Sequence, residues 1–266
     1  MKTISITSGK GGVGKSITTV NLAIELARRK KRVLVFDADM GLANIDILCD
    51  LHCEHSLIDF VEGRKELGEI RVQGPGGITV LPASSGILKL ERLTEAQQIN
   101  IANALGEMSS DFDLLLVDTG AGLSDNVLFF NACVEDVLVV VTPDPTSITD
   151  AYALIKILAT RHGVTSLTLL VNQASNAALG RSTYDKLAGV CQRFLGFAPR
   201  YGGHLVQDTT LEEAVRARRP VVITNPTAPI SRCFSELAGR FDALFPVQPS
   251  GKAFWRRLME RRQGGA

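Results

Sequence analysis

The chain has 266 residues, 45% of them hydrophobic, enough for one large or two small domains with a substantial core. Its 29 Lys and Arg against 28 Asp and Glu leave a net charge of +1, which argues against a globally basic nucleic-acid binder and against an acidic disordered chain. The charge is uneven. Residues 250–266 hold Lys252, Arg256, Arg257, Arg261 and Arg262 against Glu260 alone, a net of +4 that leaves −3 on the preceding 249 residues. No apolar run is long enough to span a membrane, and MKTISITSGKGG has no apolar signal core, so no export signal is expected. Five scattered cysteines without a CxxC pair suit a reducing cytosol better than a disulfide framework. Cys49, His52, Cys53 and His55 fall close together in CDLHCEH. Structural zinc sites usually draw ligand pairs from separated segments, so a polar loop is expected here, with metal binding the alternative.

In chain order, TISIT (3–7) reads as a strand, followed by a glycine loop and a helix near 15–30. Strands follow at RVLVFD (32–37), GITVLP (77–82), DLLLVD (113–118), DVLVVVT (136–142) and LTLLVN (167–172). Helical patterns fall near 94–108, 125–134, 147–160 and 180–195. The strands are continuous apolar runs, as expected where helices cover both faces. The β-α order therefore implies an α/β fold with a doubly wound, mainly parallel sheet and helices on both faces. PVQPSG (246–251) is the one convincing linker, giving a single domain over 1–246 and a linker with a basic tail over 247–266.

The strongest signal is Gly9-Lys10-Gly11-Gly12-Val13-Gly14-Lys15-Ser16, which fits G-x-x-x-x-G-K-[ST] and is followed by Ile17 at the start of a helix. The glycines let backbone N–H groups converge on phosphate oxygens, and the helix N-terminus adds partial positive charge. Lys15 is expected to neutralise the β- and γ-phosphates, and Ser16 to offer its hydroxyl to Mg²⁺. Asp37, Asp39 and Asp118 stand at strand ends, where such a site needs acidic groups. Asp37 is expected to anchor the phosphate loop or the strand end. Gly122 tolerates a close backbone approach.

The GKGGVGKS form resembles the deviant Walker A loop of the MinD/ParA ATPases. The resemblance covers residues 1 to about 245 and implies ATP or ADP with Mg²⁺ as ligands. It implies that Lys10 reaches across a nucleotide-sandwich homodimer to the partner's phosphates, linking ATP binding to dimerisation. FDADMGLANID (36–46) is similar to the family's switch I, which puts Asp39 beside Mg²⁺ and the attacking water. Asp118 is similar to the Walker B aspartate that meets Mg²⁺ through water, and Thr119-Gly120-Ala121-Gly122 to a switch II that senses the γ-phosphate. Lys10, Lys15 and Asp39 are thus the implied catalytic set, with Ser16, Asp39 and Asp118 at the metal. Asn172 matches the family's adenine-contacting asparagine. Asp208 falls near its second base-proximal loop, or caps the helix that begins at TLEEAVRA. No N-K-x-D motif is present, which favours ATP over GTP, and no Ras-like Gln positions water, so hydrolysis is expected to be slow.

DADMGLANIDIL (37–48), DTGAGLSDNVLFF (118–130) and TPDPTSITDAYALIK (142–156) resemble the flagellar-number regulators of the FleN/FlhG type. That likeness implies three kinds of partner: the signal-recognition-type GTPase FlhF, a flagellar transcription regulator and flagellar switch components. Members of this type commonly carry residues ahead of the first strand that stimulate FlhF. Here the strand begins at Lys2 or Thr3, which places that activity in question. The alternatives are a cell-division MinD or a ParA-type partition ATPase and, from another class, an amidoligase like cobyrinic acid diamide synthase. The amidoligases add a glutaminase domain and are about twice as long.

On a helix, Phe254, Trp255, Leu258 and Met259 fall within about 140° of arc, opposite Arg256, Arg257, Glu260 and Arg261. Residues 252–262 are therefore expected to touch an anionic membrane surface, with self-packing or a partner protein as the other readings. The expected location is cytoplasmic, with nucleotide-dependent association with the inner membrane. Arg28 to Arg32 and Arg216, Arg218 and Arg219 are expected to be solvated helix ends, and no nucleic acid is expected.

Overall fold

The computed structural model describes residues 1–39, 44–83 and 93–246. The expected tail helix at 252–262, and nearly all of the linker before it, lie outside the described residues.

Eight strands form one sheet: β1 (Lys2–Ser8), β2 (Val33–Ala38), β3 (Val72–Gln73), β4 (Thr79–Leu81), β5 (Leu114–Ala121), β6 (Asp136–Val141), β7 (Leu167–Ala174) and β8 (Arg200–Val206). Their order is β3-β4-β2-β5-β1-β6-β7-β8, and every pairing is parallel except β3 with β4. Eleven α-helices are described: α1 (Lys15–Arg28), α2 (Ile45–Leu48), α3 (Leu57–Val61), α4 (Glu95–Glu107), α5 (Asp125–Cys133), α6 (Pro145–His162), α7 (Ala177–Leu195), α8 (Thr209–Arg216), α9 (Val221–Thr224), α10 (Pro229–Gly239) and α11 (Phe241–Leu244). None of the described helices is long and apolar enough to cross a membrane.

The continuous apolar strands have the cause the sequence suggests. In β6, Val137, Val139 and Val141 enter a core shared with α4 to α7, while Leu138 and Val140 enter a second core shared with α1, α10 and α11. Alternate side chains thus feed opposite layers, and both must be apolar. Local chemistry sets the helix starts. Asp144 caps α6 by accepting from Thr146 N (2.9 Å), with Pro145 in the first turn, and Gly163 ends it in the left-handed region. Asn176 caps α7 by accepting from Leu179 N (2.9 Å), and Thr94 forms a capping box with Gln97 at α4.

All six predicted strands and five predicted helices are present, with ends shifted by a few residues. Two strands are additional. β3 has only two residues at a sheet edge. β8 reads RYGGHLV, with no apolar run, and pairs with β7 through a bulge in which Leu169 and Leu170 face Tyr201 and Gly203. A Cβ at Gly202 would lie 2.9 Å from the Leu169 carbonyl oxygen, and Gly203 has φ +113°, so both glycines are required there. Arg240 donates to the Tyr201 carbonyl (3.3 Å), covering part of this edge strand.

The parallel arrangement has one consequence for chemistry. β1, β2 and β5 are neighbours, so the C-terminal ends of all three open on the same side, where β1 passes into the glycine loop.

Candidate nucleotide site

The loop from Gly9 to Gly14 joins β1 to α1 and is pinned from three sides. Ser8 Oγ donates to the Lys10 carbonyl (2.7 Å), and Asn172 Nδ2 donates to the Val13 carbonyl (2.7 Å). α6 closes the third side: a Cβ at Gly9 would lie 2.2 Å from the Asp150 backbone, so only glycine admits this contact. Gly14 has φ +91°, and a side chain there would meet Asn172 Nδ2 at 2.4 Å. The loop N–H groups and the first turn of α1 then face a cavity of about 690 Å³. Its loop wall includes Gly11, Gly12, Gly14, Lys15, Ser16 and Ile17, and Asp39 and Gly120 stand opposite.

Charge is concentrated and buried around Lys15, and of the carboxylates Asp37, Asp39 and Asp118 only Asp39 is part of the cavity wall. Lys15 is 8% exposed, Asp37 and Asp118 are each 1% exposed, and Asp37 and Asp118 are register partners in β2 and β5. Burial lowers the Lys15 pKa, while Asp118 and Asp39 act to raise it. Burial pushes Asp118 up to about 6, against the Ser16 and Thr19 hydroxyls and the Lys15 charge, which favour its ionised form. Thr19 Oγ1 donates to Asp118 Oδ1 (2.9 Å), whereas Oδ2 is buried without a partner. An orphaned carboxylate oxygen beside the Ser16 hydroxyl and Asp39 is a donor set suited to a hard divalent cation, so these residues fit Mg²⁺. Asp37 is also raised, by burial and then by Asp118. It accepts from Asp39 N (3.1 Å), Asn44 N (3.1 Å) and Ile45 N (3.3 Å). Asp37 therefore anchors the strand end and the start of α2, on both sides of residues 40–43, and none of these bonds reaches the phosphate loop.

The other expected residues are placed as follows. Lys10 Nζ lies 2.6 Å from Asp144 Oδ2 and 2.6 Å from Thr146 Oγ1, at the start of α6 of its own chain. Gly122 has φ +88° and donates its N–H to the Ser8 carbonyl (2.9 Å), so the cavity wall is formed by Gly120 and Ala121. Asn172 is 4% exposed, and beyond its bond to the loop its Oδ1 accepts from Gln173 N (2.8 Å). Asp208 caps α8, accepting from Thr210 N (2.9 Å), and holds α10 through Ile230 N (3.2 Å). Of the two readings of Asp208, this is the capping one. Neither Asn172 nor Asp208 is part of the cavity wall.

Several wall residues escape a sequence reading: Ile47 and Leu48 of α2, Ser124, Asn126 and Val127 around the start of α5, and Val215 of α8. Only Ser124, a helix cap ahead of an apolar run, carries a local signal. In the CDLHCEH stretch, burial raises the thiols of Cys49 and Cys53 to about 12 and about 11. No group of three or more potential ligands is gathered among the described residues.

A parallel α/β sheet whose first strand runs through this loop into a helix, with Asp39 in the cavity wall and Asp118 buried near Lys15, defines a P-loop nucleotide-binding protein. The model of an AAA domain family matches residues 1–169. The chain is 40% identical over 269 residues to the antiactivator FleN of Pseudomonas aeruginosa, covering all of this chain and 96% of that protein. It is 33% identical to the flagellum site-determining protein YlxH of Helicobacter pylori, covering 97% and 90% respectively. Among solved structures, the MinC:MinD cell division protein complex of Aquifex aeolicus aligns at TM-score 0.77 and 25% identity, covering 94% of this chain and all of that one. MinD of Pyrococcus horikoshii, complexed with Mg-ADP, has the same fold at TM-score 0.77 and 20% identity, covering 92% and 97%. The chain belongs to the MinD/ParA family of ATP-binding proteins, in its FleN/FlhG branch.

The raised Asp118 pKa fixes the sign of a stability effect. Between the ordinary carboxylate range and about pH 6 the folded chain binds the Asp118 proton more tightly than the unfolded chain does. This group's contribution to stability therefore falls as pH rises through that window. In EDTA without nucleotide, Asp118→Asn is expected to raise Tm relative to wild type at pH 8 and to lose that advantage at pH 5. Calorimetric scans at the two pH values check this, and a lower Tm than wild type at pH 8 contradicts it.

Proposed function

We propose that this chain hydrolyses ATP slowly, dimerises on ATP binding, and uses that cycle to set the number or position of flagella. The observation that carries the dimer reading is Lys10. It belongs to the phosphate loop, yet its ammonium is held by Asp144 and Thr146 outside the cavity wall, while Lys15 serves the chain's own site. The pair is solvent-screened, with side chains 39% and 43% exposed, so exchange onto a second chain's phosphates is feasible. The flagellar assignment draws support from the near-complete match to FleN and YlxH.

In this reading, loop N–H groups and Lys15 hold the β- and γ-phosphates, and Ser16, Asp39 and Asp118 hold Mg²⁺, whose chemistry is to neutralise developing phosphate charge. Asp39 orients the attacking water. The water oxygen bonds to the terminal phosphorus, the bridging P–O bond breaks toward ADP, and the water proton passes by way of Asp39 to solvent. Most of the rate is positioning, which suits a timer.

The same reading divides the chain into an ATPase domain at 1–246 and a tail at 247–266. The pattern of residues 252–262 supports peripheral attachment to an anionic membrane, and two tails on one dimer bind far more tightly than one. The protein partners belong to the flagellar machinery or its transcriptional control.

Two measurements test this. By size exclusion with light scattering, wild type should be monomeric in ADP, and Asp39→Ala should accumulate as a dimer in ATP; a monomer in every state removes the switch. In co-sedimentation with anionic vesicles, ATP should raise the bound fraction above that in ADP, and equal, negligible binding in both contradicts the membrane role.

A further inference from the structure

We infer that Asn126 is a donor to the terminal phosphoryl group and that Gln98 is its positioning residue. The inference rests on the hydrolytic reading above and assigns a task within it.

Asn126 is the second residue of α5, only 8% exposed, and forms part of the cavity wall. It stands at the corner where three elements meet. A Cβ on Gly120 would lie 3.4 Å from Asp39 Oδ1 and 3.5 Å from Val127 Cγ2, so β5, Asp39 and the first turn of α5 converge there. A buried amide should have both its ends satisfied. Here one end is: Gln98 Nε2, from α4, donates to Asn126 Oδ1 (3.3 Å), and Gln98 is itself only 9% exposed. The Asn126 nitrogen has no acceptor among the described residues. It is not sealed off either, since Asp118 Oδ2 is the one buried, unpaired side-chain atom among them.

With Gln98 Nε2 donating to its oxygen, the Asn126 amide keeps its NH₂ on the side away from Gln98. Turning Asn126 over alone would set its NH₂ against the Gln98 NH₂, two donors without an acceptor, so the two amides hold this orientation as a pair. The amide donors are therefore directed to the open side, which is the cavity. The first turn of α5, capped by Ser124, adds partial positive charge at the same place.

A pair of amide donors on the cavity wall that also carries Asp39 suits an oxygen that gains negative charge during transfer. The terminal phosphoryl oxygens do so, and ADP has none at that position. The chain lacks a Ras-like Gln, and Asn126 supplies side-chain amide donors at this corner instead. Gln98 acts only through Asn126 and carries the site's geometry outward to α4.

The test uses the full chain with Mg²⁺ and compares single-turnover ATP hydrolysis, ADP affinity and Tm in wild type, Asn126→Ala, Asn126→Asp, Gln98→Ala and the double variant Asn126→Ala/Gln98→Ala. Asn126→Ala should slow hydrolysis by at least about tenfold, as loss of an oriented donor does, with ADP affinity within about threefold of wild type. Asn126→Asp, equal in shape but an acceptor, should be at least as slow. Gln98→Ala should slow the wild-type chain yet leave the Asn126→Ala chain unchanged, because the two act as one unit. Hydrolysis by Asn126→Ala within about twofold of wild type overturns the inference. So does ADP affinity that falls in step with turnover, or a Gln98→Ala loss that adds to that of Asn126→Ala. A wild-type chain that binds ADP and hydrolyses no ATP overturns the hydrolytic reading itself, a result distinct from equal turnover in wild type and variant.

Discussion

A lysine ammonium taken almost wholly out of water, at the end of a parallel sheet, needs negative charge close by, and this requirement organises the site. Lys15 receives it from Asp118 and Asp39, while Asp37 is a further buried carboxyl whose ionisation burial and then Asp118 oppose. Three carboxyl groups against one buried ammonium cannot all ionise without cost, which is why Asp37 and Asp118 are both pushed up, and the orphaned Asp118 Oδ2 marks the least satisfied atom. Such an arrangement costs stability, and in the proposed reading a divalent cation would relieve it. The sheet order β2-β5-β1 is what brings these groups together, since no local stretch of chain contains them all.

The loop above this cluster is tied to its surroundings by contacts that transmit displacement. Gly9 meets the backbone of α6, Lys10 meets the start of the same helix, Asn172 holds Val13, and Ser8 joins the loop to Gly122 at the end of β5. Asp37 does the same for the segment after β2, fixing Asp39 on one side and α2 on the other. In the proposed reading, a phosphate that moved Asp39 or released Lys10 would act on α2 and α6 directly. In a regulator, a small chemical difference at the terminal phosphate has to become a difference at the surface, and these two helices are short routes to it.

The fold was legible where pattern and position coincide. Strands buried on both faces declare themselves as unbroken apolar runs, and the phosphate loop has a spacing that few other structures require. β8 was hidden because its pairing relies on two glycines and a bulge, which carry no apolar signal. Within the site, Lys15, Ser16, Asp39 and Asp118 follow from local motifs, whereas Asn126, Ile47 and Val215 reach the cavity through tertiary placement alone. Asp208 shows the limit from the other side. Its position ahead of a helix fits two roles equally in sequence, and only the bonds to Thr210 and Ile230 make it a cap.

The account depends on the buried carboxylates being a cation-dependent nucleotide site and not merely an expensive polar core. Calorimetric titration of ADP into the chain at neutral pH, with Mg²⁺ and again in EDTA, tests this most directly. The account predicts binding at least about tenfold tighter with Mg²⁺, a gain of roughly 1.4 kcal/mol or more. Equal affinity in the two conditions would contradict it.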